Sequence, residues 1–97
     1  MNTEQQTILA RLRAALPDLK REFPLRRLAL FGSVVRGESA DGSDVDILAE
    51  VEPSIGLNFV TLADKLEQLT GRKIDLVSRR AIQPILWKHI EAELIDV

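Results

Sequence analysis

Two groups of polar residues, separated by one short loop, have the types and the spacing needed for phosphoryl chemistry. Gly32 and Ser33 follow an apolar run, and ten residues separate Ser33 from Asp44, which is followed by Asp46. The stretch from Gly37 to Asp64 contains seven carboxylates and neither Lys nor Arg. This local excess of negative charge predicts that a cation absent from the sequence binds here.

The carboxylates of Asp44, Asp46 and Asp75 are predicted to form a cluster on neighbouring strands. Alternate side chains of a strand share a face, so Asp44 and Asp46 would project together with Cα atoms ~7 Å apart. Asp75 lies in KIDLV, and an adjacent strand in suitable register would add it to the pair. Clustered anions raise one another's pKa, whereas Mg²⁺ binds a few carboxylates together with substrate phosphates. The cluster predicts a site for two Mg²⁺ ions, or for Mn²⁺ in their place.

Gly32 and Ser33 are candidates to bind the phosphates of a nucleotide. A glycine turn followed by Ser33 at the start of a short helix would present backbone N–H groups and a hydroxyl to an anion. Arg36, one turn further along, would either contact a phosphate or pair with Glu38 or Asp41. Both alternatives remain open at this point.

Three predicted strands and the helices around them must position these residues. The strands are LRRLALF, DVDILAEV and KIDLV. An amphipathic helix precedes them, with a capping box at Thr3 and Gln6; it ends before Pro24, and Pro17 would kink or restart it. A second helix would connect the last two strands and end at Gly71. Its apolar positions are Leu57, Val60, Leu62, Leu66 and Leu69.

The segment RRAIQPILWKHIEAELIDV is predicted to contain a further helix, with Pro84 in its first turn. Trp87 would be either an exposed anchor for a partner or an aromatic at the edge of the core, and His89 receives no role. LIDV would be a short last strand or a frayed end. The predicted apolar stripe consists of Ile82, Ile85, Leu86, Ile90 and Leu94. Together these elements predict an α/β (α+β) fold in one domain, residues 1–97, with a small mixed β-sheet flanked by about four helices.

The composition excludes several classes of protein. Ninety-seven residues, 45% of them hydrophobic and 29% charged, suit one compact domain. A net charge of -2 and a pI near 5.4 disfavour binding to nucleic acid. The chain has no Cys, which excludes disulfides and zinc-thiolate sites, and it shows no signal peptide or membrane-spanning run. A cytoplasmic protein is expected. Arg26, Arg27, Arg79 and Arg80 would be solvated strand and helix ends.

The stretch GSVVRGESADGSDVDILAE resembles the signature of the DNA polymerase beta-like nucleotidyltransferase superfamily. The short chain resembles its minimal nucleotidyltransferase (MNT) branch, and the resemblance spans most of the chain. It implies that Gly32 and Ser33 hold a nucleoside triphosphate. It further implies that Asp44 and Asp46 bind both metal ions, and that Asp75 completes the catalytic metal site and assists deprotonation of the acceptor hydroxyl.

Arg36 and Ser43 also belong to the matched motif and join the candidate nucleotide-binding residues, although Ser43 would otherwise serve only to fix the loop. The MNT branch implies transfer of AMP from ATP, or of another nucleotide, to a hydroxyl of a protein. Its implied partner is an all-helical HEPN protein, often a ribonuclease toxin, which the added bulk and charge would inactivate.

Two rival functions remain open at this stage. One is a non-catalytic antitoxin that neutralises its partner by forming a complex, and the other is a two-metal nuclease, which the glycine-serine turn and the acidic balance disfavour. The sequence leaves open the acceptor, the preferred base and whether the chain forms a homo- or hetero-oligomer.

Overall fold

Residues 3–38 and 42–97 are described by a computed structural model of the chain. In chain order, their helices and strands are α1 (Thr3–Glu22), β1 (Leu25–Phe31), α2 (Ser33–Arg36), β2 (Val45–Val51), α3 (Asn58–Thr70), β3 (Ile74–Ser78), α4 (Pro84–Glu91) and β4 (Ile95–Asp96). Short 3₁₀ turns occupy Pro53–Ile55 and Arg79–Ala81. The predicted α+β fold, a mixed sheet with four flanking helices, is confirmed.

The four strands form one sheet in the order β3-β2-β1-β4. β1 is antiparallel to both β2 and β4, whereas β2 and β3 are parallel and joined by α3. A parallel pair requires such a crossover connection, because the chain must return to the same end of the sheet. β4 pairs with β1 through Ala29↔Asp96 and Leu30↔Ile95, which confirms the short last strand.

The central strands are buried on both faces, and two apolar clusters lie on opposite sides of the sheet. The larger cluster packs α1 and α3 against one face, through residues such as Leu12, Leu66 and Ile47. The smaller cluster is built on Ala29, Leu48 and Ile82, and α4 covers it. Residues two apart in a strand share a face, so the side chains of Asp46 and Asp75 lie on the side that α4 covers.

α1 continues through Pro17 as one helix, so the predicted restart at Pro17 is wrong. Buried side chains on both sides of the proline, including Leu12 and Leu19, hold the two halves against the same sheet face. Pro17 itself is exposed, so water can satisfy the carbonyl that its ring leaves without a donor. Packing therefore outweighs the intrinsic cost of proline at this position.

Several predicted core positions are exposed. In α3 the predicted stripe keeps Leu62, Leu66 and the partly buried Leu69. Leu57 (89% exposed) precedes the helix, and Val60 (61% exposed) faces away from the sheet. Gly71 ends this helix in the left-handed conformation, as predicted. None of the helices within residues 3–38 and 42–97 has the length and apolarity needed to cross a bilayer.

The predicted stripe around α4 is wrong at two positions, whereas its other members, Ile82, Ile90 and Leu94, lie in or against the smaller cluster. Ile85 is 70% exposed and Leu86 is 54% exposed, whereas Trp87 and Ile90, three residues apart, pack against the smaller cluster. Trp87 is therefore an aromatic at the edge of the core. The Arg79 guanidinium lies over its ring, 3.8 Å from the centroid.

Arginines of β1 neutralise part of the acidic stretch. Arg27 bonds the Glu50 carboxylate at 3.0 Å, and Arg26 pairs with Glu52. Antiparallel pairing of β1 with β2 brings these charges together, so these arginines are more than solvated ends. The excess negative charge from which an external cation is predicted is thus smaller than the sequence indicates. What remains of it is concentrated at the start of β2.

Candidate active site

Asp46 and Asp75 are direct neighbours across the parallel pair of β2 and β3. The register on which the predicted cluster depended is therefore present, and it places the two carboxylates side by side on the sheet face that α4 covers. Asp44 lies just before β2, which begins at Val45, and its side chain is exposed. The three predicted carboxylates are thus brought to one end of the sheet, with Asp44 outside the strand where it was expected.

The electrostatic environment of Asp46 is unfavourable to its charged form. The pKa of Asp46 is raised from 3.8 to about 6, first by burial and then by the charge of Asp75, a hydrogen bond with Asp75 and the charge of Asp44; the charge of Arg36 lowers it in part. Within residues 3–38 and 42–97, no Lys or Arg forms an ion pair with any of the three aspartates. The repulsion is therefore left for a ligand to relieve.

The donor set suits a hard divalent cation, because it consists of carboxylate oxygens without nitrogen or sulfur. No three His, Cys, Asp or Glu side chains of the described ranges are arranged to hold a metal ion on their own. Asp46 and Asp75 pair with each other, and Asp44 lies at the exposed end of the loop. The aspartates therefore fit a cation that shares its coordination with substrate phosphates, and do not form a closed cage.

The backbone at Gly32 passes close to the carboxylate of Asp46. It connects β1 to α2 with φ 77° and ψ -151°, and a Cβ at this position would lie 2.1 Å from Asp46 Oδ2. The contact follows from the sheet, because Phe31 is the partner of Asp46 across the β1–β2 pair. Ser33 then begins α2, as predicted. The glycine-serine turn therefore lies directly beside the aspartates, in one candidate site.

Arg36 ends α2 and is bound by two carboxylates. Its Nε donates to Glu38 Oε2 at 3.1 Å, and its Nη1 donates to Glu93 at 2.9 Å and 3.2 Å. Pairing with Glu38 was one of the predicted alternatives, and Asp41 lies outside the described residues. Glu93 Oε1 also accepts the N–H of Gly32 at 2.9 Å. The sequence analysis missed Glu93, because nothing in the local pattern connects it to a turn 61 residues earlier.

The loop before β2 is held by a second residue that the sequence analysis missed. Arg72, just after α3, donates to the carbonyl of Ser43 at 2.8 Å and pairs with Glu4 of α1. Ser43 is half-buried at this junction. Arg72 therefore links Ser43, the residue just before Asp44, to α1 and to the end of α3.

Two hollows, of 310 Å³ and 430 Å³, lie at the other end of β2 from the carboxylates. Both contact Val51, Pro53 and Arg80, at the ends of β2 and β3. Shape alone would place a ligand there. We assign the chemistry to the start of β2, because the hollows lack the clustered carboxylates and the glycine-serine turn.

Metal-free stability is expected to depend on pH through Asp46. The folded protein binds this proton more tightly than the unfolded chain, so the ionised carboxylate is destabilising above pH 6, and this cost disappears as the pH falls towards 3.8. After allowance for solvent screening, the cost is about 1 kcal/mol. Urea unfolding in EDTA at pH 7.5 and 5 should show a gap between wild type and Asp46→Asn that narrows at pH 5. A stability gap between the two proteins that is the same at pH 7.5 and at pH 5 would contradict the assignment of the raised pKa to Asp46.

Comparison with known proteins identifies the family of the chain. Residues 12–96 match the model of the nucleotidyltransferase domain family. The chain is 39% identical over 88 residues to the protein adenylyltransferase MntA of Thermococcus cleftensis, covering 89% of this chain and 88% of that protein.

Solved structures extend the comparison to the fold. A structure provisionally named a minimal nucleotidyltransferase superposes with a TM-score of 0.80 at 35% identity, covering 96% of this chain and 95% of that one. A toxin-antitoxin structure with AMP-PNP superposes with a TM-score of 0.67 at 25% identity, covering 95% and 70%. The match over residues 12–96 and the 39% identical relative show that this chain belongs to the nucleotidyltransferase domain family.

Proposed function

We propose that this nucleotidyltransferase transfers AMP from ATP to a hydroxyl of a helical HEPN-type protein, and that it acts in the cytoplasm as the antitoxin of that protein. The observation that carries the proposal is the Asp46–Asp75 pair beside the Gly32 turn. Two comparisons support it. One relative is named a protein adenylyltransferase, and one similar structure is a toxin-antitoxin with an ATP analogue.

The chain's own groups divide the work of the proposed reaction. Asp44, Asp46 and Asp75 would hold two Mg²⁺ ions, or Mn²⁺, which neutralise the charge of the triphosphate when bound. Ser33 and Arg36 would orient the phosphates. The acceptor oxygen attacks the α-phosphorus, the bond to the bridging oxygen breaks, and pyrophosphate leaves. Asp75, exposed on β3, would accept the proton of the acceptor hydroxyl.

Incubation of the protein with the helical protein encoded by the neighbouring gene, ATP and Mg²⁺ should add about 329 Da per AMP to that partner. Mass spectrometry measures the gain directly. EDTA, or the double substitution Asp44→Asn with Asp46→Asn, should abolish it, because both remove the shared cation. An unmodified partner with the wild-type protein would contradict the proposed reaction.

The rival function, neutralisation by complex formation alone, has its own supporting observation. Leu57, Val60, Ile85 and Leu86 are exposed apolar side chains of the kind that protein interfaces bury. The double aspartate variant separates the two functions, since it keeps these exposed side chains. If it blocks toxicity as well as the wild-type protein does, without modifying the partner, binding is the mechanism.

A further inference from the structure

Glu93, which follows α4, contacts two groups of the candidate site, the backbone of Gly32 and the side chain of Arg36. Its carboxylate accepts the Gly32 N–H at 2.9 Å and the Nη1 of Arg36 at 2.9 Å and 3.2 Å. The side chain is 23% exposed, against 48% for Arg36. A long, exposed arginine is thereby tied to a more buried carboxylate that is fixed on the backbone.

The direction of the Gly32 N–H follows from the sheet. Leu28 accepts a hydrogen bond from the N–H of Val97, and Leu30 is the partner of Ile95, so every second residue of β1 turns its backbone groups towards β4. Continuing this register brings Gly32 opposite Glu93. The carboxylate therefore takes the place of a backbone carbonyl at the edge of the sheet, and it approaches Gly32 from a different side than Asp46.

Arg36 retains one free nitrogen in this arrangement. Nε is bound by Glu38 and Nη1 by Glu93, while Nη2 has no hydrogen-bond partner among residues 3–38 and 42–97. Carboxylates on Nε and on Nη1 hold the planar guanidinium from two different edges and so fix its orientation, while the N–H groups of Nη2, between those edges, remain available to an anion. A preoriented donor loses less freedom on binding than a mobile one.

We infer that Glu93 is a positioning residue, which holds Arg36 so that Nη2 meets the triphosphate. The inference rests on the proposed function, in which Arg36 contacts the phosphates. The length of the Glu93 side chain matters more than its charge, because its carboxylate must extend from the turn after α4 to both donors, the Gly32 N–H and Arg36 Nη1. In the competing role, the carboxylate would occupy the place of a phosphate and weaken binding. The two roles give opposite results on substitution.

Calorimetry with AMP-PNP and Mg²⁺ tests the inference without an acceptor. Glu93→Asp keeps the charge but shortens the side chain, and it should weaken AMP-PNP binding about tenfold. Glu93→Gln keeps the reach and an acceptor oxygen, and it should remain within about threefold of wild type. Glu91→Gln, an exposed neighbour in α4, is the control that should change nothing.

A double-mutant cycle shows whether Glu93 acts through Arg36. In an Arg36→Ala background, Glu93→Asp should change the affinity by less than about twofold. An equal tenfold loss in that background would indicate a structural role and overturn the inference, as would tighter binding by Glu93→Gln or unchanged binding by Glu93→Asp. If the wild-type protein itself fails to bind AMP-PNP with Mg²⁺, the proposed function fails first, which is a separate result.

Discussion

The Asp46→Asn protein is expected to lose at least about a thousandfold in the rate of AMP transfer while remaining folded. Asp46 is central to the carboxylate cluster, and an amide is a poor ligand for the cation that the phosphates share. The same change removes the cost of burying a charge and the repulsion from Asp75 and Asp44, which together raise the pKa of Asp46. Loss of activity and gain of metal-free stability should therefore occur together.

The matched control is Asp64→Asn, an exposed aspartate of α3 in the same acidic stretch but outside the site. It should leave the transfer rate within about twofold of wild type, because surface charges of this kind contribute little. Steady-state kinetics and urea unfolding in EDTA measure the two effects. A variant of Asp46 that unfolds, with metal dependence unchanged in the remaining folded fraction, would show that Asp46 is structural.

Gly32→Ala is expected to abolish transfer and to lower the free energy of unfolding by about 3 kcal/mol. Its φ of 77° with ψ of -151° is a conformation that only glycine adopts readily. The new Cβ would also meet Asp46 Oδ2 at 2.1 Å, so either the turn or the carboxylate must move. Movement of either the turn or the carboxylate would disrupt the site.

Gly56→Ala separates backbone strain from the clash. Gly56 has a similar conformation, φ 50° and ψ -133°, but its Cβ would meet only a backbone oxygen of Ser54, at 4.0 Å. We expect this variant to lose stability from strain alone and to keep its transfer rate per folded molecule. Equal losses of activity in the two variants would show that contact with Asp46 is unimportant.

The parts of the site that could be predicted are those with a local cause. Strand alternation placed Asp46 and the residues around it on defined faces, and glycine before serine marked the turn at Gly32. The side-by-side placement of Asp46 and Asp75 was conditional on register, which the three-residue connection after α3 supplies. These features need only the nearest neighbours along the chain and the period of the element.

The parts that could not be predicted depend on distant pairing. Glu93 contacts Gly32 across 61 positions, and Arg72 contacts Ser43 across 29, so neither has a local signature. The apolar stripe of α4 was wrong at two positions for a related reason. Which of the apolar side chains is buried depends on how the helix lies over Leu48, and this places Trp87 at the edge of the core and leaves Ile85 exposed.

The link from α3 to β3 limits where the chain can gain or lose residues. Gly71, Arg72 and Lys73 connect the helix to the strand, and the Lys73 carbonyl accepts the Val45 N–H at 2.8 Å, just before Ile74 pairs with Val45. An inserted or deleted residue that slipped β3 by one position would turn every side chain of the strand to the opposite face. An isoleucine or leucine would then lie beside Asp46, and the third aspartate would enter the apolar core. Length variation in this family is therefore expected to avoid this link, even though the link itself contributes no group to the chemistry.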